Sequence, residues 1–521
     1  MKKLLLILLF CIGTANVNSQ TVVYVDIDAT GANDGTSWAN AYNDPNEAFQ
    51  NLSTNNVEFW IAEGVYLPDS YATFNAFGIP NAFDNIKVLG GFNGTETNAL
   101  QRNFRANPTE LTGDFSQNDV IGGSSNLRVD NAQTTLFIGS SNTLVEGVTI
   151  SGGYSGGGSL IINKNGGGVF VSGTALNVTL KNCKITDNYA ANGGAGIFHF
   201  AEVSTALEIV NTEISFNRAN WGAGIYAITF ANNISYDVNS YGNLFFGNQT
   251  DQFDSSSTVF SGSAMWLRAF NTGSTVNANI FNNVIYGNID GGSLPADRGR
   301  TSVGVEEANG ATINVQFSNN ITEKNTDGVA FTTPILSEIV DGTNYGNPVI
   351  TYNLSDAGFS GYAGATVNNN TVINDSNTNP IFSDAANGDF TLVNNSSAID
   401  SGDANLLPST FTVDFAGNQR VFGANVDQGI YEFGSPVLSI DDVDVFNKEI
   451  KLYPNPARSI LNIRTNQPNA GIEIYSALGQ KVIVSNQDTI DVSQLENGLY
   501  FAKIKSENDK IQTLRFIKIN L

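Results

Sequence analysis

Between residues 20 and 446 the chain holds 13 Lys and Arg against 42 Asp and Glu, and few of them are spaced for chemistry. Arg298-Gly299-Arg300, following Asp297, offers two guanidinium groups that could grip an acidic sugar through paired N–H donors. A solvated loop beside Pro295 accounts for the same residues. Lys181 and Lys184 alternate with Cys183 on one expected strand and point outward, which makes Lys184 a candidate base. His199, the single histidine, lies in Phe198-His199-Phe200 and reads as a packed strand residue. Oxygen ligands are better represented. Asp26, Asp28, Asn33 and Asp34 surround Gly31 and Gly35, and Asp384, Asn387 and Asp389 surround Gly388. Both sets suit calcium, although neither follows EF-hand spacing, and each could instead close Asx turns on its own backbone.

Composition closes most other chemistry. One His and two Cys leave no room for Cys2His2 zinc sites or a disulfide scaffold, and His-based acid–base catalysis is nearly excluded. A net charge of −24 repels a phosphate backbone, so no nucleic-acid partner is expected. That charge is divided unevenly: residues 20–446 carry −29, residues 447–521 carry +3, and two N-terminal lysines supply the rest. Two physical units follow, joined by the acidic stretch Asp441-Asp442-Val443-Asp444 after Gly434-Ser435-Pro436. The start of the chain reads as a secretory signal peptide over residues 1–19. Lys2-Lys3 precedes an apolar run at 4–12 that is too short to span a bilayer, and Val17-Asn18-Ser19 offers small residues for cleavage. Its removal takes Cys11 and leaves Cys183 alone, so core packing and backbone ladders must hold the exported protein.

The elements that would position these residues come from a repeat. With 52 Gly and 69 Asn the chain is turn-rich, and the turns recur in phase. Asn182-Cys183-Lys184-Ile185-Thr186-Asp187-Asn188 is echoed by Asn211-Thr212-Glu213-Ile214-Ser215-Phe216-Asn217, then by Asn243-Leu244-Phe245-Phe246-Gly247-Asn248 and Asn283-Val284-Ile285-Tyr286-Gly287-Asn288. A second phase runs through Gly168-Val169-Phe170, Gly196-Ile197-Phe198 and Gly224-Ile225-Tyr226 at 28-residue spacing, then Ala264-Met265-Trp266. Short β stretches repeated at such a period indicate a solenoid. Each coil has two or three parallel strands, with inward Ile, Val and Phe stacked about 4.8 Å apart. Gly and Asn take the corners because both accept positive φ, and equivalent Asn side chains can form ladders. The expected fold is all-β: a right-handed parallel β-helix of roughly a dozen coils, followed by a small antiparallel sandwich. Asp44-Pro45-Asn46-Glu47 starts one short helix, assigned as a lid over the first coil.

Several stretches resemble known families. Tyr24-Val25-Asp26, Asn33-Asp34-Gly35-Thr36-Ser37-Trp38, Trp60-Ile61-Ala62-Glu63-Gly64-Val65-Tyr66, Gly90-Gly91-Phe92-Asn93-Gly94-Thr95-Glu96-Thr97, Gln101-Arg102-Asn103 and Leu111-Thr112-Gly113-Asp114 resemble the first coils of secreted bacterial pectate-lyase-like β-helix proteins. The Gly-Ala-Gly-Ile and Phe-x-x-Asn elements are similar to repeats of chlamydial polymorphic outer-membrane proteins. Ala195 interrupts that family's Gly-Gly-Ala-Ile order, so only architecture is carried over. Residues 379–434, with Asn379-Pro380-Ile381-Phe382 and Asp427-Gln428-Gly429-Ile430-Tyr431-Glu432, resemble the choice-of-anchor Q segment that ends such helices. The last 75 residues match most specifically. Leu452-Tyr453-Pro454-Asn455-Pro456, Leu478-Gly479-Gln480, Gly498-Leu499-Tyr500 and Phe516-Ile517-Lys518-Ile519 resemble the type A sorting domain of the type IX secretion system of Bacteroidetes.

Taken with the N-terminal pattern and the charge division, the resemblances give an expected signal peptide at 1–19, a capped β-helix at 20–378, a closing segment at 379–434, a linker at 435–446 and a sorting domain at 447–521. They imply partners in the outer-membrane translocon and a sortase-like protease, and a product released or attached to surface lipopolysaccharide. The leading functional expectation is a non-enzymatic surface protein that binds extracellular glycans or a host or neighbour cell. A polysaccharide lyase or glycoside hydrolase is the alternative, and a purely structural coat protein a third. Cofactors other than calcium are not expected.

Overall fold

The structure is a computed structural model. It describes residues 20–68, 76–121, 128–252, 262–292, 301–326, 333–339, 348–356, 359, 365–373 and 380–436, and, in a second unit, 451–453, 457–464, 469–476, 481–487, 489–495, 497–506 and 511–518. The expected signal peptide, 1–19, and residues 437–446 of the expected linker lie outside these residues.

The first unit is a right-handed parallel β-helix. One coil shows the plan: β1 (Val178–Lys181), β2 (Lys184–Thr186), β3 (Tyr189–Gly193) and β4 (Ile197–Ala201) succeed one another around the coil. β5 (Thr205–Val210) then returns to pair in parallel with β1. Stacked coils produce four parallel sheets of 11, 10, 5 and 8 strands. The coil therefore has one more side than the repeat suggests, because Tyr189–Gly193 and its counterparts pair as strands instead of serving as a corner. The 28-residue repeat is the strand register itself: Phe170 pairs with Phe198, and Phe198 with Tyr226. Lys181 and Lys184 both face outward, but they sit on β1 and β2, since Asn182-Cys183 is the corner between them.

Burial drives the stack. Ile150, Ile185, Ile214, Phe245 and Ile285 form one inward column, paired coil to coil and fully buried. Each such side chain stabilises by about 1.5–3 kcal/mol. Corners combine a left-handed residue with an inward polar one. Asn182, Asn211, Gly242, Asn282 and Asn319 all have positive φ, and the residues after them, Cys183, Thr212, Asn243, Asn283 and Asn320, point into the coil. At the N-terminal end Asp44 caps the helix α1 (Pro45–Gln50), and Phe49 packs edge-on against Phe59 of the coil at 4.8 Å.

Residues 380–434 do not continue the coils. They fold back along the outside of the ten-stranded sheet, where Ile381, Phe382, Phe390, Leu392, Ala398 and Ile430 cover outward Leu244, Val284, Ile321 and Leu354. The second unit, described by itself, consists of a three-stranded and a four-stranded antiparallel sheet around Leu461, Ile472, Ile474, Ala502 and Phe516.

Candidate functional site

The outer face of the ten-stranded sheet changes character along its length. In register, Glu110, Thr149, Lys184 and Glu213 form a polar row, which then becomes Leu244, Val284, Ile321 and Leu354. Strand alternation places all of them outward. The folded-back segment covers the apolar half and stops short of the polar one, leaving a cleft of about 210 Å³.

Lys184 and Glu213 lie on the floor of this cleft with Thr149, Asn182 and Cys183; Phe104, Arg105 and Pro108 form one wall and Phe415 the other. Lys184 Nζ is 3.1 Å from Glu213 Oε1, and Ser215 Oγ donates to the same carboxylate oxygen at 2.7 Å. Arg105 lies over the Phe104 ring at 4.8 Å and donates to the Phe415 carbonyl at 2.5 Å, tying the two walls together. Asn211 donates to the carbonyls of Val413 and Asp414 and fixes the far wall to the coil corner. At the neighbouring corner Glu146 collects Arg102 at 2.6 Å and Asn182 at 2.8 Å. The arrangement combines two cations, a carboxylate and the rings of Phe104 and Phe415 in one groove. Such a set can stack a sugar ring and hold its hydroxyl or acidic substituents. Lys184 is engaged by Glu213, which suits holding an anion better than abstracting a proton.

Other expected residues fall elsewhere. Arg298 and Arg300 lie outside the described residues. His199 is inside the coil, fully buried, with Nδ1 2.9 Å from the Tyr236 hydroxyl, and burial pushes its ring down to about 3. Of the first oxygen cluster, Asp26 accepts from the Asp28 amide, Asn33 bridges Glu47 and the Asn43 amide, and Asp34 accepts from the Thr36 amide and hydroxyl. Asp28 is exposed beside them. In the second cluster Asn387 donates to Asp384, and Asp389 accepts from Thr391. Both sets close local turns, and among the described residues no group of three or more His, Cys, Asp or Glu side chains converges.

Sequence reading missed Arg105, Glu213 and Phe415. Glu213 had a signal, since it occupies the repeat position of Lys184 one coil later. The contact between Arg105 and Phe415 spans 310 residues and had none.

In the second unit Tyr453 ends the strand Lys451–Tyr453, Gly498 opens Gly498–Ser506, Tyr500 stacks on Phe516 at 5.7 Å, and Lys518 is fully buried. Pro454, Asn455, Pro456 and Gly479 lie outside the described residues.

Residues 451–519 match the secretion system C-terminal sorting domain family. Among solved structures the chain is similar to the pectin methylesterase of Aspergillus niger, at 12% identity and a TM-score of 0.27, over 68% of this chain and 90% of that one. No curated protein matches the chain. The C-terminal unit is a type IX secretion sorting domain, and the protein is exported to the cell surface or beyond it. Among the described residues no helix is long and apolar enough to cross a membrane.

Proposed function

We propose that the β-helix is a glycan-binding or adhesive rod displayed on or released from the cell, and that the Lys184–Glu213–Arg105 cleft is where it takes its ligand. The observation that carries this reading is the cleft itself, where Phe104 and Phe415 line a groove that also holds Lys184, Arg105 and Glu213. The acidic surroundings of a −29 rod favour a ligand that presents few negative groups at a time, such as a sparsely acidic polysaccharide. In this reading the sorting domain is recognised by the outer-membrane translocon and then removed by a sortase-like protease.

The test is a glycan array probed with the mature protein and with Lys184→Met. Binding to a defined glycan, weakened about tenfold or more by the substitution, supports the assignment, since one lost charge-assisted hydrogen bond is worth roughly 1.5–3 kcal/mol. Equal binding by both proteins removes the cleft from the reading. Accumulation of unsaturated or reducing sugar ends would replace binding with lyase or hydrolase activity.

A further inference from the structure

A different cluster lies around the corner at Gly152. Asp114 and Asp119 are linked through the Asp119 amide, which donates to Asp114 Oδ2 at 2.9 Å. Asn131 spends its amide hydrogens on Asp119 Oδ2 at 2.6 Å and on the Gly152 carbonyl at 2.7 Å. Arg128 spends its guanidinium on Asp187 at 2.5 Å and on Asp119 Oδ2 at 3.3 Å. These donors are spent on other oxygens, and among the described residues three acceptors remain: Asp114 Oδ1, Asp119 Oδ1 and Asn131 Oδ1 are all buried without a hydrogen-bond partner. Asp114 is 7% exposed and Asn131 8%.

Buried acceptors without donors are costly, and three in one cluster call for a positive partner. Among the described residues Arg128, which is shared with Asp187, is the cation facing Asp114 and Asp119, so the two carboxylates outnumber it. Two carboxylates and a carboxamide form a hard oxygen donor set, the kind calcium takes together with water. We propose that Asp114, Asp119 and Asn131 form a calcium site in the N-terminal coils, separate from the cleft and from the Asp26 turn.

Calcium titration into the chelator-treated mature protein, followed by calorimetry and thermal melting, tests this. Binding at Asp114 and Asp119 should raise the melting temperature by several degrees, and Asp114→Asn should abolish that rise while Asp26→Asn keeps it. Without calcium, Asp114→Asn should melt no lower than wild type, because it keeps an acceptor for the Asp119 amide and removes one repelling charge. A melting temperature indifferent to millimolar calcium, a rise retained in Asp114→Asn, or an Asp114→Asn protein destabilised without calcium would each overturn the site.

Discussion

The side-chain amide of Asn217 donates to Asn248 Oδ1 at 3.0 Å inside the coil corner. The same contact runs from Asn188 to Asn217 and from Asn248 through Asn288 to Asn325, so one buried ladder crosses five coils. Each rung also takes a backbone carbonyl: Asn248 donates to Ile214 at 2.8 Å and accepts the Asn217 amide at 3.1 Å. Replacing Asn248 by Leu would take a partner from four buried groups, the Ile214 carbonyl, the Asn217 backbone amide, the Asn217 side-chain amide and Asn288 Oδ1, at about 1–3 kcal/mol for each one left unsatisfied. Asn248→Leu should therefore lower stability in denaturant melts by roughly 4 kcal/mol or more. Asn279, whose bond to Asn239 is partly exposed, provides the control: Asn279→Ala should cost about 0.5 kcal/mol or less. Equal losses for the two variants would mean that the interior ladder adds nothing beyond the surface one.

His199 makes the rod acid-sensitive. Its ring is held neutral in the core, at about 3 against an ordinary 6.5, because burial disfavours the imidazolium. Above pH 6.5 neither state is protonated and His199 costs nothing. As pH falls below 6.5 the unfolded chain takes a proton that the folded chain refuses, so stability declines until the folded value near 3 is reached. The slope is at most about 1.4 kcal/mol per pH unit. Between pH 7 and pH 5 the mature protein should lose about 2 kcal/mol that the pair His199→Leu with Tyr236→Phe does not lose. Removing both partners avoids stranding the Tyr236 hydroxyl. Parallel losses in both proteins would assign the acid sensitivity to other groups.

Local repetition was legible and long-range folding-back was not. Gly196-Ile197-Phe198 and Gly224-Ile225-Tyr226 announce their own pairing, because in a parallel coil the sequence period equals the register. Cys183 breaks the written pattern yet keeps the corner position, accepting from no Asn but receiving the same backbone environment through Thr212. By contrast, the apolar residues that alternate with the core column, Leu244, Phe246, Val284 and Tyr286, already signal that both faces of these strands are covered. What covers them, residues 380–434, carries no period that could point to it, so Arg105 and Phe415 of the cleft could not be paired in advance. The sorting domain was readable because its resemblance rests on short local motifs, such as Gly498-Leu499-Tyr500 and Phe516-Ile517-Lys518, that are recognised without any distant contact.

The export route depends on the second unit. Deleting residues 447–521 removes the whole secretion-system match at 451–519 and leaves the β-helix core, which forms a separate compact unit. The truncated protein should cross the inner membrane and accumulate folded in the periplasm, detected by fractionation and immunoblot. Its appearance on the cell surface at wild-type level would place the export signal elsewhere.

Residues 380–434 are held to one another by one buried cation. Arg420 donates to the carbonyls of Asp427 at 2.9 Å and Gly429 at 2.7 Å and lies 3.5 Å from Glu432, which is also buried. Burial raises the Glu432 carboxyl to about 8 even against the pull of Arg420. Arg420→Met removes that pull, so the folded-state value rises further above the ordinary 4.5. A raised acid binds its proton more tightly when folded. Its stabilisation is complete below about pH 4.5 and is lost as pH climbs through the folded value. Arg420→Met should thus be mildly destabilising at pH 5 and cost about 3–5 kcal/mol at pH 9, where a buried carboxylate would lack its partner. Hydrogen exchange should localise the loss to the folded-back segment and to the strand Leu244–Phe246 beneath it, with amides of the inner column at Ile185 and Ile214 still protected. A uniform loss of protection across all coils would show instead that the segment and the rod unfold as one.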